Sequence, residues 1–207
     1  MRFVGLGAAF GNTDSHGDSI QKGAFARTLK QARDTGVMPA MLAQHGGMGV
    51  TAADLMPIGS WTRMTETAAG LEVEGTLAPT DRGREAYALL TMKPRALTGL
   101  SIGYLATKWR VNNDPKPGEA RRVLTDIELF EVSLVTWPAN SKARVTDVKR
   151  FTSARDLEVI FRDVLGMSHR EAKRAASGAW RALGREHEPK SGELAALLNA
   201  SATRFAQ

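Results

Sequence analysis

The 207-residue chain contains no cysteine. A disulfide, a thiolate zinc site and a cysteine nucleophile are therefore excluded. Histidine is scarce, and His16, His45, His169 and His187 are all the imidazoles available for proton transfer. Aromatic residues make up only 6%. The basic residues behind the net charge of +6 are scattered, with one local cluster at Lys142, Arg144, Lys149 and Arg150. A nucleic-acid reader concentrates its basic residues on one face and often interleaves aromatics, so this composition points away from a specific nucleic-acid partner. No apolar run approaches the length of a membrane span, and the opening MRFVGLGAAFGN lacks a signal-peptide profile. These absences lead to the expectation of a cytosolic protein with no membrane partner.

What is present falls into two textures. Residues 1–150 hold short alternating runs broken by Gly, Pro, Asn and Asp, the pattern of strands and turns. RFVGLGAAF reads as a strand, and IGSWTRM with LEVEGTL as a hairpin whose Leu71, Val73 and Leu77 point one way and Glu72, Glu74 and Thr76 the other. GAFARTLKQARDTG spaces Phe25, Leu29 and Ala32 for a helix that stops at Gly36. DRGREAYALLTM is helical with Ala86, Leu89 and Leu90 on one face, and VMPAMLAQHGG is an extended run ending at His45. Several antiparallel strands with a few short helices suggest a sheet closed into a barrel or sandwich. Residues 151–207 form a helical appendage. Leu157, Ile160, Phe161, Val164 and Leu165 share one stripe, Ser168 and Glu171 stand in capping-box register, and ELAALLNA reads as a last short helix.

The octapeptide LTGLSIGY places Ser101 between Gly99 and Gly103. This spacing marks a nucleophile elbow when a strand precedes the serine and a helix follows it. Here a helix and Pro94 come first and a strand comes after, so the α/β-hydrolase reading fails on context. A serine nucleophile of another kind needs a base to take its proton. His45, followed by GGMG, is the best-placed imidazole, while His16 in DSHGD reads as a turn residue. A third group would orient that imidazole. In RRVLTDIELFEVSLV, strict alternation puts Val123, Thr125, Ile127, Leu129, Glu131, Ser133 and Val135 on one face. Glu131 then lies among apolar neighbours and needs a partner, since an unpaired buried charge costs several kcal/mol (roughly). An imidazole N–H meets that need, and so does an arginine such as Arg63 or Arg95.

GAAFGNTDSHGDSIQKGAF, MLAQH, LTGLSIGY and ELFEVSLVTWPANSKARV, in that order, resemble the phage prohead (capsid maturation) serine proteases, distant relatives of the herpesvirus assemblin proteases. The resemblance covers roughly residues 1–148. It implies an α+β fold built on a mainly antiparallel closed β-barrel surrounded by short helices, with residues 1–150 as the protease domain and 151–207 as a helical tail. It also implies a Ser101 nucleophile, a His45 base and Glu131 as the third member, with Asn140 or Arg144 in PANSKAR as oxyanion or substrate contacts. No metal or organic cofactor is implied. The implied partners are the major capsid protein with its scaffold segment and a second copy of the protease, inside the immature shell in the host cytoplasm. Two rival readings remain. One is a metal-dependent hydrolase using Asp14, His16, Asp18 and His45; the other is a non-catalytic capsid-assembly scaffold module.

Overall fold

The alternating stretch RFVGLGAA becomes β1 (Arg2–Ala9), which buries Phe3 and pairs antiparallel with β5 (Gly70–Leu77). β5 is the return strand of the hairpin begun by β4 (Gly59–Glu66). Trp61 of β4 meets Phe3 edge-on, with ring centroids 5.4 Å apart, and donates its indole N–H to Ala40 O. Glu74 keeps the face of β5 opposite Val73 and Gly75, yet it is buried there. Arg2 and Arg63 neutralise it there, Arg2 at 2.5 Å and Arg63 at 3.4 Å.

The computed structural model describes residues 1–47, 55–149, 154–163 and 165–183. The chain forms two compact units, Met1–Lys149 and Arg150–Gln207. In the first, the remaining elements are β2 (Asp18–Ile20), α1 (Ala26–Thr35), β3 (Ala40–Ala43), α2 (Gln44–Gly47), α3 (Asp81–Thr91), β6 (Gly99–Val111), β7 (Arg122–Val135) and β8 (Val145–Lys149). α1 begins at Phe25, which has no capping side chain of its own. The Glu66 carboxylate supplies the cap from β4 by accepting the Gly23 and Phe25 N–H groups at 2.9 and 2.8 Å. The helix ends on Gly36 in the left-handed conformation, and α3 is capped by Thr80. Ala86 and Leu90 of α3 are buried, but Leu89 faces solvent.

β7 organises the sheet. One of its edges pairs with β6 along its length. The other pairs in parallel with β2 at residues 122–124 and with β3 at residues 131–134. Between those two partners α1 takes over the backbone groups of β7. Ile127 N–H donates to Ala24 O, Thr28 Oγ1 donates to Ile127 O at 3.2 Å, and Leu129 N–H donates to Thr28 Oγ1 at 3.1 Å. The Ile127 and Leu129 backbone groups are thus paired where the two strands diverge.

This topology corrects the expectation of a closed, mainly antiparallel barrel. The sheet is mixed and open, with strand order β2-β7-β3-β4-β5-β1-β8 and β6 on the side of β7. Beyond β7, β6 meets the rest of the sheet through the isolated bridge Gly99↔Arg144 rather than a ladder. The two parallel pairings explain the difference. Alternation reports which face a residue occupies and says nothing about strand direction, and residues 20 and 122 are too distant in sequence for a turn signal to link them.

The second unit contains α4 (Ala154–Asp163) and α5 (His169–Leu183), making five helices among the described residues. Leu157, Phe161, Ala172 and Ala176 form its core. The Ser168–Glu171 box closes as a reciprocal pair: Ser168 N–H donates to Glu171 Oε2 at 3.0 Å, and Glu171 N–H donates to Ser168 Oγ at 3.4 Å. Leu165 lies past the end of α4 and is exposed. Val164 and the ELAALLNA helix lie outside the described residues. No described helix is long and apolar enough to cross a membrane.

Candidate active site

The site begins with an irregularity in β7. Gly103 and Tyr104 are successive residues of β6 and so point to opposite faces. They stand across from Glu131 and Leu129 respectively, leaving Phe130 as an inserted residue. Leu129 and Glu131 therefore lie on opposite faces, contrary to strict alternation. Ile127 and Leu129 join the main core with Val132 and Leu134, while Glu131 and Ser133 turn to the other side. The bulge thus removes the carboxylate from the hydrophobic core and aims it at a second surface.

His45 reaches that surface from β3, which runs parallel to β7 with Leu42 opposite Ser133. The chain leaves β3 through a tight turn in which Gln44 and His45 have φ of 52° and 55°. Residues with a Cβ rarely adopt this conformation, and it costs on the order of 1 kcal/mol or more at each position. Contacts on both sides hold it. The Gln44 side-chain amide donates to Thr136 Oγ1 at 2.9 Å and accepts the Thr136 N–H at 3.3 Å. The His45 backbone N–H donates to Ser133 Oγ at 3.2 Å.

The turn sets the imidazole against Glu131, with Nδ1 2.6 Å from Oε1. Glu131 is buried and His45 is partly open to solvent. The second carboxylate oxygen, Oε2, accepts the Ser133 hydroxyl at 2.5 Å. The Glu131 hydrogen bond, assisted by its charge, raises the His45 pKa above the ordinary value of 6.5 against an opposing effect of burial. With the proton on Nδ1, the ring donates to the carboxylate and leaves Nε2 as an acceptor.

Ser101 is buried and lies directly across from Ser133. Cross-strand partners share a face, so Ser101, Ser133 and Glu131 occupy the same side of the sheet. Register, rather than a hydrogen bond, relates Ser101 to the imidazole: none joins Ser101 Oγ to His45 among the described residues. The two glycines flanking the serine are explained by close approach. A Cβ at Gly99 would strike Val135 O and come within 2.9 Å of Pro138 Cδ. A Cβ at Gly103 would overlap Glu131 Oε1 and lie 2.9 Å from its Cγ. Gly103 is thus the opening through which the carboxylate passes, and no sharp strand-to-helix elbow is present.

The other candidates fall elsewhere. Arg63 pairs with Glu74, and Arg95 donates to the carbonyls of Val145 and Thr146 at 3.4 and 3.5 Å, so neither arginine is the partner of Glu131. Asn140 exchanges side-chain amide bonds with Asn12 at 3.0 and 3.2 Å and accepts the Lys142 N–H, shaping its own loop. Arg144 bridges Gly99, and its carbonyl accepts the Leu6 N–H. The Asp14-x-His16-x-Asp18 stretch is a turn in which Asp14 Oδ1 accepts the N–H groups of residues 16 and 18. Asp18 is engaged by Arg122 at 2.9 and 2.5 Å and accepts the Tyr104 hydroxyl at 3.3 Å. Burial, together with the nearby Asp18 charge, pushes Tyr104 up to about 12. Among the described residues, no group of three or more His, Asp or Glu side chains is arranged to hold a metal.

Sequence reasoning missed Gln44, Gly103 and Ser133 as parts of this site. Ser133 had a signal, since it lies two residues from Glu131 on a strand. Gly103 was marked only as a neighbour of Ser101, and its role toward Glu131 had no signal, because that partner across the sheet is 28 residues away in the chain.

Comparison with known proteins gives the family of the chain. The family model described as caudovirus prohead serine protease matches residues 1–158. The prohead protease of Enterobacteria phage HK97 is 31% identical over 175 residues, covering 82% of this chain and 71% of that protein. With three-quarters of its length inside the family model and a relative at that identity, this chain belongs to the caudovirus prohead serine proteases.

Proposed function

We propose that this phage prohead maturation protease hydrolyses peptide bonds through Ser101, His45 and Glu131. His45 Nε2 takes the proton from Ser101 Oγ as the oxygen attacks the scissile carbonyl. The same nitrogen then returns the proton to the leaving amine, and water repeats the sequence to release the acyl group. Glu131 keeps the Nδ1 tautomer in place and stabilises the imidazolium that forms in each half-reaction. The oxyanion requires donors worth about 3–4 kcal/mol each. The loop ending at Arg144 is the candidate source, because Arg144 bridges Gly99 two residues before the nucleophile. Asn140 shapes that loop. On this reading the hydroxyl is the nucleophile, the imidazole the base and then the acid, and the carboxylate the orienting group.

The observation that carries this reading is the 2.6 Å contact between His45 Nδ1 and Glu131 Oε1 on the face that also bears Ser101. Catalytic hydrogen bonds to the nucleophile commonly tighten only when substrate binds. The substrates on this reading are the major capsid protein with its scaffold segment, and the protease itself, cut inside the immature shell in the host cell. Co-expression with the capsid protein tests it. Mass spectrometry should find trimmed capsid protein with the wild-type chain and intact capsid protein with Ser101→Ala. Equal trimming by both would remove Ser101 from the mechanism, and survival of maturation without any cleavage would favour a scaffold role.

A further inference from the structure

Ser133 has no solvent exposure, and its hydroxyl stands between the two halves of the site. It donates to Glu131 Oε2 at 2.5 Å and accepts the His45 backbone N–H at 3.2 Å. It also lies opposite Ser101 on one side and Leu42 of β3 on the other. From these contacts we infer that Ser133 is a positioning residue of the hydrolytic site, holding the carboxylate and the imidazole-bearing turn in one geometry through a single hydroxyl. The inference rests on the triad reading above.

Two features of the chemistry support it. The terminal torsion of a glutamate is soft and roughly two-fold, so a carboxylate held at one oxygen can swing. Glu131 is held at both, Oε1 by His45 and Oε2 by Ser133. In addition, the left-handed backbone at His45 is strained and its N–H needs an acceptor. A hydroxyl is the smallest side-chain group that donates and accepts at once, so one buried oxygen meets both demands. Alanine meets neither, cysteine meets both poorly, and threonine retains the chemistry at the cost of a methyl.

The test uses the full chain with Ser133→Ala, Ser133→Cys and Ser133→Thr, each compared with Ser101→Ala. The substrate is a peptide spanning the cut identified in co-expressed capsid protein. Ser133→Ala and Ser133→Cys should lower kcat about 10- to 100-fold with little change in KM, the scale of a misplaced catalytic group. The acid limb of the kcat/KM profile should fall toward the ordinary histidine value as Glu131 loosens from Nδ1. Ser133→Thr should recover most of the rate. The cysteine variant preserves volume and decides the matter if the alanine variant does not fold. Wild-type kcat and an unmoved acid limb in either folded variant would overturn the inference. Cleavage by Ser101→Ala would instead overturn the triad reading, so the two failures are distinguishable.

Discussion

Replacing Gly103 with alanine adds a single methyl group, and the structure specifies what that methyl displaces. The new Cβ would lie 2.9 Å from Glu131 Cγ and 3.0 Å from Cδ, and closer still to Oε1, where ordinary contact begins near 3.4 Å. The carboxylate oxygen must therefore withdraw by about 1 Å, a displacement that in catalytic constellations costs on the order of 10²-fold in rate. The obstructing group is the far end of a flexible side chain, so the fold can accommodate the methyl. Gly103 lies in a strand without a positive φ, and removing a glycine lowers the entropy of the unfolded chain by about 0.4–1 kcal/mol. Stability should consequently change by less than about 1 kcal/mol. The assay pairs urea denaturation with kcat/KM on the capsid-derived peptide, and follows the His45 ring by NMR. The expected variant is well folded, about 100-fold slower, and has a His45 pKa closer to its ordinary value. A folded variant with wild-type kcat/KM would refute the assignment of Gly103 as clearance for Glu131.

Three further outcomes follow from the same structure. Glu131→Gln removes the hydrogen bond and charge that raise the His45 pKa; because the base must be neutral to act, the acid limb of kcat/KM should move down in pH while the plateau falls on the order of 10³- to 10⁴-fold. The Glu131–imidazolium pair contributes stability that is fully present below the unfolded histidine pKa of 6.5 and is lost as pH rises through the raised folded value. The melting-temperature gap between wild type and Glu131→Gln should therefore narrow with rising pH, and a gap that widens would contradict the pairing. Trp61→Ala empties a core position packed on Phe3 and frees the Ala40 carbonyl just upstream of the His45 turn. It should cost about 3–5 kcal/mol in urea denaturation, and a loss below 1 kcal/mol (roughly the surface range) would place Trp61 outside the core.

Much of the local structure was legible in the chain. The spacing of Phe25, Leu29 and Ala32 with a terminal Gly36 describes α1, and Ser168 with Glu171 describes the start of α5, because each depends on neighbours within a turn or two. The β4–β5 hairpin was legible for the same reason. Glu74 kept its expected face but is buried there, because arginines from other segments lie against it, and Leu89 departed from the buried face of α3 that Ala86 and Leu90 occupy.

By itself, the sequence determined which elements form, which chemical groups are available, and that a lone carboxylate at position 131 would require a partner. These follow from short-range periodicity, from turn chemistry and from the absence of cysteine. Only the tertiary structure decided that β2 and β3 run parallel to β7, that the sheet stays open, and that Phe130 is inserted so that Glu131 leaves the core. It also decided that His45 sits in a left-handed turn against Glu131 and that Gly103 is empty to admit that carboxylate. The physical reason is one of range. Periodicity encodes the face a side chain prefers, whereas strand direction, bulges and close approach depend on residues tens of positions away whose contacts exist only once the chain has folded.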